Sequence, residues 1–190
     1  MSLRPSSFLA PLAALVVSLA AVPARADVSS WLFAGGGVST LYRPHVSGGD
    51  GAAAMQFDAG MGSSPAAKFA VGGLVRMQTR IGDGSDFGLF VRTATGGFVR
   101  GNWGGAIDLG GYARGWGPAS APGYAGSVVL GGPWGLTLCL NAARDTRDAN
   151  TFTAVFGIDL ARFSVYRTTG LGWLPNPFPT PPREGPRSDL

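Results

Sequence analysis

The chain has 190 residues, 45% apolar and 14% charged, with 31 Gly, 14 Pro and a formal net charge of +4. That much glycine excludes a coiled coil or a long helical bundle, because each interior helical Gly costs about 1 kcal/mol. An apolar fraction this large with so small a net charge excludes intrinsic disorder, and the length favours one domain.

Residues 1–26 read as a secretory signal peptide. Arg4 supplies a positive start, residues 8–22 are almost wholly apolar, and Ala24-Arg25-Ala26 places small residues at −3 and −1 before Asp27. The apolar run is shorter than the roughly 20 residues of a membrane-spanning helix. The sole cysteine is Cys139, so no internal disulfide can form.

From there, residues 27–170 read as short strands separated by Gly, Pro, Asp and Asn clusters. Strands are expected near 29–41, 52–61, 67–79, 86–98, 102–115, 123–131, 134–143 and 151–163. The expected connections alternate roughly in length, with the longer ones at 42–51, 80–85, 116–122 and 144–150. An even strand number with short turns at one end and longer loops at the other is the pattern of an up-and-down antiparallel barrel of the outer-membrane type.

Side chains alternate between two faces of a strand, and the two faces differ here. Phe69, Val71, Val75 and Met77 oppose Lys68, Arg76, Gln78 and Arg80; Phe87, Leu89 and Val91 oppose Arg92. Trp103, Ile107 and Leu109 oppose Asp108 and Arg114; Leu136, Leu138 and Leu140 oppose Thr137, Cys139 and Asn141. Met55 and Phe57 oppose Gln56 and Asp58, and Phe156 and Ile158 oppose Asp159. Arg162 alone among the strand charges falls on an apolar face, where it is expected to snorkel.

Aromatic residues suggest which face is outside. Trp31, Phe69, Trp103 and Trp134 begin strands 1, 3, 5 and 7, while Phe87, Tyr124 and Phe152 begin strands 4, 6 and 8. On an up-and-down barrel these form two girdles, the signature of a barrel whose apolar face meets lipid. The polar faces then line the lumen. Asp58, Arg76, Arg92, Asp108 and Asp159 are expected to form a mid-lumen ion-pair network, because an unpaired buried charge costs several kcal/mol. Residues 171–190, with Pro175, Pro177, Pro179, Pro181, Pro182 and Pro186, read as an extended flexible tail.

On these features, residues 1 to 163 resemble the small eight-stranded outer-membrane β-barrel proteins of Gram-negative bacteria. The resemblance implies a transmembrane barrel in the bacterial outer membrane, in contact with the lipid bilayer and lipopolysaccharide. Such barrels commonly end in a strand that closes on an aromatic residue; Phe163 or Tyr166 stands nearest that role, though more chain follows. Members range from structural anchors and adhesins to lipid-modifying enzymes, so the resemblance leaves the task open.

Candidate chemistry is sparse. His45, the only histidine, lies in a loop with Ser47 and Asp50, and no strand carries a His–Ser pairing of a hydrolase. Asp83-Gly84-Ser85-Asp86 reads as a turn more readily than as a calcium loop. Arg144, Asp145, Arg147 and Asp148 form a charged loop that, with Arg43 and Arg80, has the chemistry to meet lipopolysaccharide phosphates. Cys139 reads as a small interior residue. No phosphate loop, dinucleotide fingerprint or zinc spacing is present, and no nucleic-acid patch.

The expectation is a non-enzymatic, monomeric, porin-like barrel without cofactor or metal. Its role would be structural, adhesive or interactive through external loops, with a lumen closed by Arg and Asp. A secreted soluble barrel holding a small apolar ligand and a lipid-modifying outer-membrane enzyme are the alternatives.

Overall fold

The computed structural model describes residues 28–116 and 121–164. The expected signal peptide and the Pro-rich tail lie outside the described residues. Eight strands follow in order: β1 (Ser29–Tyr42), β2 (Asp50–Gly62), β3 (Phe69–Arg80), β4 (Gly84–Thr95), β5 (Gly104–Trp116), β6 (Pro122–Gly131), β7 (Leu136–Asp145) and β8 (Asn150–Asp159). Each pairs antiparallel with its sequence neighbour. β1 pairs with β8 from Phe33↔Asp159 to Tyr42↔Asn150, so the sheet closes into an eight-stranded up-and-down barrel without an edge.

Two expected strands are shorter than their sequence pattern suggests, and each is stopped by a capping side chain. β4 ends at Thr95, whose hydroxyl accepts from the Phe98 amide at 3.3 Å and starts α1 (Gly96–Val99). β8 ends at Asp159, whose carboxylate accepts from the amides of Ala161 (3.0 Å) and Arg162 (3.1 Å) at the start of α2 (Leu160–Ser164). Phe163 therefore belongs to α2 and does not close a strand, while Tyr166 lies outside the described residues. Trp134 does not begin β7 either. Pro133 removes a ladder donor, and Trp134 and Gly135 take positive φ of 58° and 73° in a 3₁₀ turn that reverses the chain.

The connections do not alternate in length as expected. At the end away from the barrel's chain ends run 43–49, 81–83 and 146–149. At the other end run 63–68, 96–103 and 132–135. The longest of these stands at the end where short turns were expected, because α1 occupies it.

Alternation along each strand puts one set of side chains inside and the other outside. The interior holds both apolar and charged groups. One buried apolar cluster, near the chain ends, gathers Trp31, Ala70, Ala94, Phe98, Val99, Ala106, Val129 and Cys139; a second joins Leu74, Phe90 and Ala125. The outside is almost wholly apolar: Leu109 is 64% exposed, Phe156 58% and Val128 50%. Among the described residues, the strand charges left exposed are Asp50 and Arg144, both at strand ends.

Candidate functional site

Register brings the lumen charges together. Asp58 on β2 stands directly opposite Arg76 on β3, and Arg92 on β4 directly opposite Asp108 on β5. All four point inward and are at most 2% exposed. Arg76 donates from Nε to Asp58 Oδ1 and from Nη2 to Oδ2, both at 2.8 Å. Arg92 donates from Nε to Asp108 Oδ1 at 2.7 Å and from Nη2 to Oδ2 at 2.8 Å. Each arginine also reaches the other pair's acid: Arg76 Nη2 bonds Asp108, and Arg92 Nη2 bonds Asp58 Oδ2 at 3.2 Å. The result is a closed ring of two cations and two anions with no net charge.

Neighbours complete the ring. Gln56 Nε2 donates to both Asp58 oxygens at 3.1 and 3.2 Å, and Arg76 Nη1 donates to the Ser127 hydroxyl. The Phe90 ring lies 4.6 Å from the Arg76 guanidinium carbon, a cation–π contact. Glycine at 88, opposite Arg76, leaves room for that ring, since a Cβ there would lie 2.5 Å from Phe90 Cε2. A polar chain extends the lining: Asn141 donates to Gln78 Oε1 (2.7 Å), Gln78 to Thr153 (2.8 Å), and Ser39 and Thr153 share a bond of 2.8 Å. Towards the far mouth, Arg114 donates to Asp86 at 2.7 and 3.2 Å. Between Arg76 and Asp86 lies a cavity of about 20 Å³.

Asp159 does not join the ring. It is fully buried, but it sits at the last position of β8, where it accepts from the Leu32 amide at 3.3 Å and caps α2. The correction follows from where β8 ends: a carboxylate at a strand terminus meets orphan helix amides before it meets a guanidinium.

Trp31 is corrected too. It belongs to no outer girdle but to the lumen, at 1% exposure, with Arg92 stacked 5.3 Å from its ring centre. The β1–β2 and β1–β8 registers turn Trp31 and Phe33 inward and leave Leu32 outside. The other aromatics do face outward. Phe69, Trp103 and Trp134 lie near the chain-end rim, and Phe87, Tyr124 and Phe152 near the opposite rim, all between 40% and 79% exposed.

Arg162 is the third side chain whose place differs from the sequence expectation. It does not snorkel outward; it is 1% exposed and closes the chain-end mouth of the lumen. Its Nε donates to Phe98 O at 2.6 Å, Nη1 to Leu136 O (3.4 Å) and Thr137 Oγ1 (2.9 Å), and Nη2 to Asn102 O (3.0 Å) and Gly132 O (2.9 Å). It also stacks 4.2 Å from the Phe98 ring. Glycine at 131 makes the approach possible, because a Cβ there would lie 2.6 Å from the guanidinium nitrogens. Desolvation lowers the Arg162 pKa, and Asp159 opposes that shift. The charge is held by carbonyl dipoles from α1, the following loop and the 3₁₀ turn. No periodicity signals this, because the carbonyls lie 26 to 64 residues from Arg162 in sequence.

The loop chemistry is ordinary. Arg43 pairs with Asp50 (3.2 Å) and Arg144 with Asp148 (2.7 Å) at the surface, and the Arg147 amide donates to Asp145 Oδ1 at 2.8 Å. Arg80 is not exposed for phosphates: it turns inward at 3% exposure and binds Asp83 (2.9 Å) and the Asp50 carbonyl (2.8 Å). Asp83 and Asp86 are thus engaged by arginines, and the described residues hold no cluster of three or more metal-ligating side chains. His45 is exposed in the β1–β2 connection at φ 64°. Cys139 is buried, with Gln56 Nε2 3.5 Å from its sulfur.

No family model matches the chain, and neither the curated proteins nor the solved structures contain a match to it.

Proposed function

We propose that this chain is a bacterial outer-membrane β-barrel that spans the lipid bilayer as a closed, non-catalytic structural element. The observation that carries the reading is the inverted distribution of side chains. Leucines, valines and phenylalanines cover the outside, while Asp58, Arg76, Arg92 and Asp108 are buried within. A soluble barrel would waste both: it exposes hydrocarbon to water and desolvates four charges. In lipid the same arrangement stabilises.

Further features support the reading. The shortest strands have 10 residues, within the 9–11 that a tilted spanning strand needs. Two rims of outward aromatics flank the apolar wall, as headgroup-level rings do. An even number of strands places both barrel ends on one side, the periplasmic side if residues 1–26 direct export. With both mouths occupied by arginine contacts, the barrel carries no wide channel. The described connections are short, which favours anchoring and packing over adhesion through long loops. The rival soluble barrel needs an apolar lumen for its ligand, and the charged ring occupies that space.

The test is fractionation followed by electrophoresis with and without boiling. An outer-membrane protein whose mobility changes on boiling, and which gives no conductance steps in a planar bilayer, supports the proposal. Recovery from the soluble periplasm without detergent overturns it.

A further inference from the structure

Inside the barrel, β7 crosses a boundary. Its inner face carries Cys139, Asn141 and Ala143 in turn, because alternate residues share a face. Cys139 is 1% exposed and belongs to the apolar cluster of Trp31 and Phe98. Two residues on, Asn141 and then Ala143 line the cavity of about 20 Å³ that separates Arg76 from Asp86. Side-chain exposure rises along this cavity, from 2% at Arg76 to 16% at Asp86. It therefore opens towards the far mouth and closes at the ring.

The cavity wall holds a polar atom that the protein does not match. Asn141 donates through Nδ2 to Gln78, and Gln78 donates in turn to Thr153. Asn141 Oδ1 is buried and meets no donor. Turning both amides over sends Asn141 Oδ1 to Gln78 and leaves Nδ2 in its place, so either orientation leaves one polar atom of Asn141 unmatched. The fitting ligand both donates and accepts. It is neutral, because Arg76 is balanced by Asp58 and Asp108, and Asp86 by Arg114. It is also small: one water requires roughly 10–15 Å³, and the cavity offers little more. Gln78, Tyr112 and Thr151 line the same space and supply the further polar partners that a buried water takes.

We infer that the cavity binds water at Asn141, and that the lumen is hydrated from the far mouth only as far as Arg76. The path ends there because the guanidinium is held by Asp58, Asp108 and Ser127, with the Phe90 ring over its face. Asp108 stays dry, and Cys139 lies behind the seal. The site is internal, so the inference goes beyond the membrane reading and stands apart from what covers the outer wall.

Two measurements on the folded full chain in detergent micelles test it. In the wild-type protein, the Asn141 side-chain amide is expected to show nuclear cross-relaxation with water, of the sign that bound water gives and hydrogen exchange does not. Silver ion, a probe hardly wider than water, then maps the path through thiols, with the adduct read by mass spectrometry. In a Cys139→Ser background, Asn141→Cys and Ala143→Cys are expected to react at least about tenfold faster than Cys139 of the wild type, whose labelling waits for local opening. Three results each overturn the inference: no cross-relaxation at Asn141, a cysteine at 141 as slow as Cys139, or a wild-type Cys139 as fast as a cysteine at 143. If Asn141→Cys does not fold, the wild-type cross-relaxation and the comparison of positions 139 and 143 still decide.

Discussion

Two arginine sites occupy one lumen and are built in opposite ways. In the mid-barrel ring, Arg76 and Arg92 each meet one carboxylate from the strand directly beside their own and a second from two strands away. At the chain-end mouth, Arg162 meets mainly backbone carbonyls, from Phe98, Asn102 and Gly132 outside the sheet and from Leu136 at the start of β7. The first site is neutral by counting charges. The second places a charge at low exposure and stabilises it with dipoles and the face of Phe98. The ring holds strands to strands; Arg162 holds α1, α2 and the 3₁₀ turn over the opening. A barrel can keep its ring and lose its cover, so the two sites are expected to fail differently.

The largest effect is expected from Asp108→Ala. It leaves two buried guanidiniums sharing one carboxylate and costs about 3–5 kcal/mol. A lowered midpoint of denaturant unfolding from detergent micelles measures it, and an unchanged midpoint would mean that water reaches the ring. Arg162→Ala is expected to cost less, about 1–3 kcal/mol, because carbonyls at a mouth recover water more easily than buried acids do. Its signature is local: faster amide exchange at 96–103 and 132–135, with the strand amides still protected. Arg162→Lys should not rescue it, since one ammonium cannot span the separate carbonyls that the guanidinium fork joins.

Replacing Arg92 and Asp108 together, by Met and Leu, sharpens the contrast. Removing both members of a buried pair is often close to neutral, so the double variant should recover most of the loss seen in Asp108→Ala. A double variant no more stable than the single would show that the charges cooperate with Arg76 and Asp58 beyond pairwise pairing. The smallest effect is expected from Thr95→Ala, about 1 kcal/mol, as for other N-caps. It frees the Phe98 and Gly105 amides from the Thr95 hydroxyl. It should loosen the Arg162 site and leave the ring untouched, which exchange at residues 96–103 would report.

The comparison also separates what a reader of the sequence can see. Asp58, Arg76, Arg92 and Asp108 were legible because each lies on the polar face of an alternating strand, and alternation is local. Trp31 was misread because β1 carries Gly35, Gly36 and Gly37 and no charge, so nothing in its own pattern orients its faces. Asp159 and Arg162 were misread together. The pattern from 151 to 163 continues apolar past the true end of β8, and only Asp159 binding the amides of Ala161 and Arg162 turns the chain.

Strand number, antiparallel order and the split between charged and apolar faces were thus determined by the sequence alone, because side-chain alternation and turn residues act over a few residues. The closing of β1 on β8, the pairing of each acid with a particular arginine, the inward turn of Trp31 and the burial of Arg162 were decided only in three dimensions. Those outcomes depend on strand register and on space inside a closed barrel, and both are set by all eight strands at once.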